Sequence, residues 1–302
     1  MRTVRSDASY NARVTFDQSL DEITAALRAG AWDDALAKID ALHALASDES
    51  QRALLDLHRA SIDVLRGARD ADLNAFRENV IRRHSPRHVH LATYYLLVNA
   101  IDRNDRATVD RYFPIYLDAV ATVADPLQRI ASWDVAGAVE SMRGNHVAAI
   151  EYGRAALAEC DPNADGEAQL TRIFITHNLA YNCLAANQFN DALTYARDAL
   201  SMAERIGRQD ILRQLLVTTA FAHLCREQLD DAEALAERAA SITEGTRLEK
   251  YVHYLHGEVA RRRGDLAIAS THFKRLEAFY PDTPGVAEIL LTLNIAPFLL
   301  PE

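Results

Sequence analysis

The sequence predicts an all-α chain folded as a right-handed α-solenoid of about seven antiparallel helix pairs with a C-terminal capping helix. Three observations predict it. First, a short segment recurs, as RAGAWDDALAKI at 28–39, RGNHVAAIEY at 143–152, ANQFNDALTYA at 186–196, REQLDDAEALA at 226–236 and RRGDLAIASTHF at 262–273. One supersecondary unit repeated along a chain builds a stack. Second, 11 Gly and 8 Pro in 302 residues fall below the usual ~7% and ~5%, while half the chain is apolar, so turns are few and elements long. Third, no segment alternates strictly with period two around an Asn-Gly or Asp-Gly turn, so no sheet is expected.

Residues 1–15 read as an N-terminal tail, and the first echo centres on Ala35. The next anchors are Ala149, Ala192, Ala232 and Ala269. The first gap is three times the later spacing, so two further units belong between Ala35 and Ala149. Those units, about 53–123, are degenerate: the one near 53–85 lacks a clean Gly-turn-Ala register, and the one near 90–123 carries Pro114 where a second helix is due. Proline there removes a hydrogen bond and is expected to kink or end the helix. The best-matching units span about 130–281. In them small residues recur seven apart, as Ala149 with Ala156, Ala192 with Ala199 and Ala232 with Ala239, which places both on one helix face. A second small residue stands twelve positions before each anchor, at Gly137, Ala180, Ala220 and Gly257. Small residues on facing helices are what a tight antiparallel hairpin needs. No Ser/Gly/Pro-rich linker interrupts this stack, and CDPNADGEAQ at 160–169 is the longest irregular candidate. Residues 282–302 read as a capping helix with an apolar tail, ending NIAPFLLPE.

The order Trp133, Gly137, Gly144, Ala149, Ala156, and again Gly257, Gly264, Ala269, Pro281, resembles the tetratricopeptide repeat, a helix-turn-helix unit of about 34 residues. The resemblance covers roughly residues 16–281. Its spacing is longer than the standard repeat because segments such as DALTYARDALSMAERIGRQD prolong the second helix, in the manner of the looser repeats of bacterial sensory and regulatory proteins.

A formal charge of −10 argues against general binding to phosphate backbones or anionic lipid. Arg261, Arg262 and Arg263 close one predicted helix and Arg82 and Arg83 another, where the helix dipole favours cations. The N-terminus lacks an apolar core for secretion and no stretch approaches 18 apolar residues, so cytoplasm is the expected compartment. Cys160, Cys183 and Cys225 fit reduced, packed thiols.

Signals for catalysis are weak. There is no phosphate-cradling glycine loop, H-E-x-x-H, paired C-x-x-C or G-x-S-x-G motif. Asp161, Asn163, Asp165 and Gly166 begin like a calcium loop, but position twelve is Arg172, where bidentate coordination needs Glu. His84, His88 and His90 cluster in sequence, and His253 and His256 share a helix face near Glu258. Neither group completes a metal set, so neither a cofactor nor an enzyme is expected.

The candidate binding residues come from the face left over once the small residues meet their hairpin partner. Positions six and three before each small residue, and one after it, read Phe174, His177 and Tyr181; Gln214, Val217 and Phe221; Tyr251, Tyr254 and Glu258. The tetratricopeptide resemblance implies that this stripe lines a concave groove that takes extended peptides or partner helices. Asn178 and Gln214 would supply amide donors beside apolar anchors. The competing reading makes several of these aromatics inter-repeat core. The family's carboxylate clamp is not expected, because Val217 and Thr218 stand where polar or basic members belong.

The expected function is therefore a non-catalytic protein- or peptide-binding scaffold in regulation or signalling. The alternative is a sensory or dimerisation module that controls an effector domain, such as a transcription regulator or nucleotide-signalling enzyme, on the same or another chain. The apolar C-terminal tail either folds back over the last repeat or docks elsewhere, for example in a homodimer.

Overall fold

A computed structural model describes residues 6–68, 71–163 and 166–293. Residues 294–302, which carry most of the expected apolar tail and the homodimer contact assigned to it, lie outside the described residues, as does Asp165 of the calcium-like run. Among the described residues every regular element is a helix. They form two compact units, Met1–Val135 and Ala136–Glu302, where the sequence led us to expect one uninterrupted stack.

The first unit contains α1 (Ser6–Arg28), α2 (Trp32–His43), α3 (Glu49–Leu65), α4 (Asn74–Arg82), α5 (Pro86–Asp102), α6 (Arg106–Val120) and the start of α7 (Pro126–Met142). The chain is thus helical from Ser6, within the stretch expected as a tail. Each of α1 to α5 packs on the helix that follows it. Side-chain caps set several starts: Asp48 accepts from Gln51 N–H at 2.8 Å, and Ser85 precedes Pro86 at the first turn of α5, where a missing N–H costs nothing.

The second unit holds the rest of α7 and α8 (His146–Glu159), α9 (Gly166–Ala185), α10 (Phe189–Ile206), α11 (Gln209–Cys225), α12 (Leu229–Thr243), α13 (Glu249–Arg262), α14 (Leu266–Glu277) and α15 (Val286–Thr292). From α8 onward each helix packs on the next, and α11 also touches α9 and α13. In α10 the buried residues are Ala192, Leu193, Ala196, Ala199, Leu200 and Ala203, the spacing of one apolar stripe on a 3.6-residue helix. The short α15 lies on α14. The Glu277 carboxylate accepts from the Gly285 and Ala287 N–H groups at 2.8 and 3.2 Å, and those bonds hold its pKa below the usual carboxylate range.

One turn recurs six times among the described residues. Gly30, Asn104, Gly144, Asn187, Glu227 and Gly264 all have left-handed backbone, and the next helix begins two residues later. The residue between donates its N–H five residues back, as in Ala31 to Ala26 O, Asp105 to Ala100 O and Gln188 to Cys183 O, at 2.7 to 2.9 Å. This is the Schellman closure, which satisfies otherwise orphaned helix carbonyls. The fourth residue of each following helix is Ala35, Val109, Ala149, Ala192, Ala232 or Ala269, each at most 2% exposed. The unit near 90–123 is therefore a regular copy whose anchor is Val109. Pro114 does not end α6, which runs on to Val120. Val109, Tyr112, Phe113 and Tyr116 are buried on both sides of it, and that packing holds the helix where one backbone bond is missing.

The hairpins close as the small residues require. A Cβ on Gly137 would meet Ala149 O at 3.3 Å, and one on Gly257 would lie 2.6 Å from Phe273 Cδ1. On the α8 face, Gly153 admits Leu179 of α9 just as tightly, at 2.7 Å from Cδ2.

Candidate functional site

The stripe chosen from the sequence runs over α9, α11 and α13, and its ten members divide cleanly. Phe174 is 42% exposed, and His177, Asn178, Tyr181 and Gln214 are half-buried. Val217, Phe221, Tyr251, Tyr254 and Glu258 are all buried, at 6% exposure or less, so these five are interior residues and not groove surface. On a helix with 3.6 residues per turn, positions three before and one after the small residue lie only about 60° and about 100° from it. They face the joint between hairpin and neighbouring repeat. Positions six before lie about 120° away; there Phe174 reaches solvent and Gln214 is half-exposed, whereas Tyr251 of α13 is covered by its neighbours.

The buried half forms an aromatic seam. Phe221 stacks on Tyr254 with centroids 5.6 Å apart and meets Tyr251 edge-on at 6.4 Å. Tyr254 continues to Phe273 of α14 at 6.3 Å. Such pairs stabilise by ~0.5–1.5 kcal/mol beyond area burial. Glu258 is an internal ion-pair node: its carboxylate takes Arg261 Nε and Nη2 and Arg262 Nε, each at 2.7 Å. Arg262 also donates to Leu224 O at 2.8 Å and Glu227 at 2.6 Å. Arg263 pairs with Asp230 and Glu233, so the triple arginine is neutralised locally.

The accessible half is held from below. His177 Nε2 and Thr218 Oγ1, at 2.9 Å, tie α9 to α11, and burial pulls the His177 imidazole down to about 4. Asn182 Nδ2 donates to Asn178 O at 2.9 Å, while its Oδ1 is 3.0 Å from His146 Nδ1. The His146 ring meets Tyr181 edge-on at 6.4 Å. The result is a rigid strip with one exposed aromatic, a second beside it and two amides.

Of the histidines singled out in the sequence, His88 and His90 are hydrogen-bonded within the fold, and the His84 ring lies 5.5 Å from that of His88. Ser132 Oγ gives its proton to Gln128 O at 2.6 Å, so His90 Nε2, 2.8 Å away, is the donor to Ser132. Nδ1 is then the acceptor facing Gln128 Nε2 at 3.5 Å. His88 is likewise used at both nitrogens, by Ser85 Oγ at 2.7 Å and Ser50 O at 2.8 Å. His253 and His256 of α13 gather with His272 of α14 at centroid distances of 5.9 and 5.0 Å. Burial and the two neighbouring imidazoles push His272 down to about 4. Among the described residues no three His, Cys, Asp or Glu side chains are grouped to hold a metal ion.

With this geometry in place, solved structures supply the comparison. The chain is similar to the apo form of RapI, at 11% identity over 89% of this chain and 77% of that one, with a TM-score of 0.67. It is similar to a Rap protein complexed with competence and sporulation factor, at 14% identity over 92% and 79%, TM-score 0.67. Aspartyl phosphate phosphatase F from Bacillus subtilis matches at 14% identity over 98% and 82%, TM-score 0.58. The fold is a TPR-like helical repeat. No protein-family model matches the sequence, and no curated protein matches it. At these identities the likeness is one of fold.

Sequence reasoning missed a cavity of about 990 Å³ in the first unit, lined from α1, the start of α2, α3, α5 and α7 and from the residues before α2 and α7. Its aromatic members, Trp32, His58, His90, Tyr94 and Tyr95, come from three separate helices, and no spacing rule connects the three helices.

Proposed function

We propose that the chain is a non-catalytic regulatory scaffold that binds a peptide or protein segment along α9 and α11 of the second unit. The observation that carries this reading is Phe174, an aromatic left 42% exposed in the middle of a 20-residue helix whose neighbours on the strip are polar and ordered. Exposed aromatics ringed by amides are anchor points for extended partners. A structure of the same fold holds a Rap protein with competence and sporulation factor, which supports a binding role for this architecture. The site residues are Phe174, His177, Asn178, Tyr181 and Gln214, with the Phe221–Tyr254 seam acting as their foundation.

The reading extends to partner class and place. A charge of −10 disfavours nucleic acid, and no described helix is long and apolar enough to cross a membrane. The three free cysteines suit the reducing cytoplasm, and self-association is assigned to the segment after α15.

A display library of random peptides selected on the wild-type protein provides the test. Peptides so enriched are expected to lose tenfold or more in affinity on a Phe174→Ala, Tyr181→Ala double variant that keeps its helical circular dichroism. Equal binding to the double variant, or no enrichment at all, refutes the reading.

A further inference from the structure

We infer that the first unit carries a binding site for an uncharged, planar aromatic molecule, seated in the cavity between α1, α3, α5 and α7 and hydrogen-bonded to the Tyr94 hydroxyl. The site shares no residue with the α9 strip and does not depend on it.

Size and lining come first. At about 990 Å³ the cavity is at the upper end of the volumes that hold small ligands. Trp32, Tyr94 and Tyr95 present ring surface to it, and planar ligands bind such walls by offset or edge-on contact. Tyr94 and Tyr95 already stand edge-to-face at 5.1 Å, which fixes the orientation of the wall.

Several of the neutral polar groups inside are committed to partners within the fold. Gln128 Nε2 faces His90 and His90 is saturated by Ser132. Tyr116 Oη, behind them, donates to Ser132 O at 2.9 Å. Thr24 Oγ1 donates to Leu20 O at 2.9 Å. Tyr94 stands apart: it is partly exposed inside the cavity, and none of the hydrogen bonds of the described residues involves its hydroxyl. A phenol in a lined cavity with an uncommitted O–H is a ready donor to a ligand carbonyl.

Neutrality of the ligand follows from the charges. At the rim Arg28 lies 3.4 Å from Asp125 and Arg87 lies 3.7 Å from Asp17, so each guanidinium already has a carboxylate, and the remaining lining carboxylate, Asp21, is solvent-exposed. Deeper in, burial pulls His90 down to about 4 and raises the Tyr94 phenol. A site that resists both a cation and an anion on its own side chains resists them on a ligand as well. His58, 4% exposed with neither ring nitrogen hydrogen-bonded among the described residues, belongs to the same dry wall.

The test uses one ring system in three charge states: naphthamide, naphthoate and naphthamidine. Trp32 lines the cavity, so tryptophan fluorescence of the full chain reports occupancy, with Trp32→Phe identifying the signal and calorimetry measuring affinity. Naphthamide is expected to bind saturably at one site, about tenfold or more tighter than either charged analogue. Tyr94→Phe is expected to weaken it roughly three- to tenfold, the loss of one hydrogen bond. Ala131→Phe, which fills the cavity from α7, is expected to abolish binding, while Phe174→Ala leaves it unchanged. Absence of saturable naphthamide binding to the wild type overturns the inference, as does naphthoate or naphthamidine binding equally well or unaltered affinity in folded Tyr94→Phe.

Discussion

His58 and Glu258 are both polar and both almost wholly buried, and the fold treats them in opposite ways. Glu258 is met by two guanidiniums through three charge-assisted contacts, and Arg262 makes two more of its own, to Leu224 O and Glu227. Removing one partner of such a node leaves an uncompensated buried charge. His58 has no hydrogen-bond partner at either nitrogen among the described residues. Burial, with Arg87 and His88 nearby, pushes its pKa down to about 3, so it is a neutral ring with unmet polar atoms. An apolar replacement of similar volume removes that cost. His58→Leu is therefore expected to raise stability by about 1 kcal/mol in urea unfolding at neutral pH, and a loss of that size would show the ring to be well satisfied.

Element packing depends on a few glycines whose partners are specific. Gly257 on α13 gives Phe273 of α14 its place, and Phe273 is wholly buried, a burial that stabilises by ~1.5–3 kcal/mol. Gly257→Ala is expected to cost ~1–3 kcal/mol by overpacking, read as a lower urea midpoint. Adding Phe273→Leu should recover part of that loss, and simple additivity of the two costs would contradict the direct clash. The register of these hairpins was legible because Gly137, Ala149, Ala192, Ala232, Gly257 and Ala269 are small for a steric reason that spacing alone reveals. Asn104 and Val109 repeat the same turn with different side chains, which hid that copy. The stripe expected over α9, α11 and α13 has five of its ten members in the interior. A position's angle from the small residue is a local property, whereas its cover by Phe273 or by Arg261 and Arg262 depends on neighbouring elements.

For the molecule as a whole, neutral buried imidazoles make acid the sensitive direction. His58 and His90 in the first unit and His177 in the second have native pKa values of about 3 to about 4, below the unfolded value near 6.5. The unfolded chain therefore binds more protons below that value, and the stabilisation present above it is lost as pH falls from about 6.5 towards about 4. Each deeply buried ring is expected to contribute a loss of about 1–2 kcal/mol between pH 7 and pH 5. Urea titrations at those two pH values measure it. Constant stability across the window would mean that these histidines open to solvent.

The sequence by itself determined that the chain is helical, that its units repeat, and where the turns and small-residue contacts fall. Those properties follow from periodicity, from backbone conformations that few residues tolerate, and from steric limits within one hairpin. Only the tertiary structure decided that the described chain forms two compact units, that Pro114 lies inside a continuous helix, that five stripe residues are core while Phe174 stays exposed, and that Trp32, His58 and Tyr94 surround one cavity. Burial and cavities arise where helices distant in sequence meet, and a residue's own neighbours along the chain do not encode which of them will be covered.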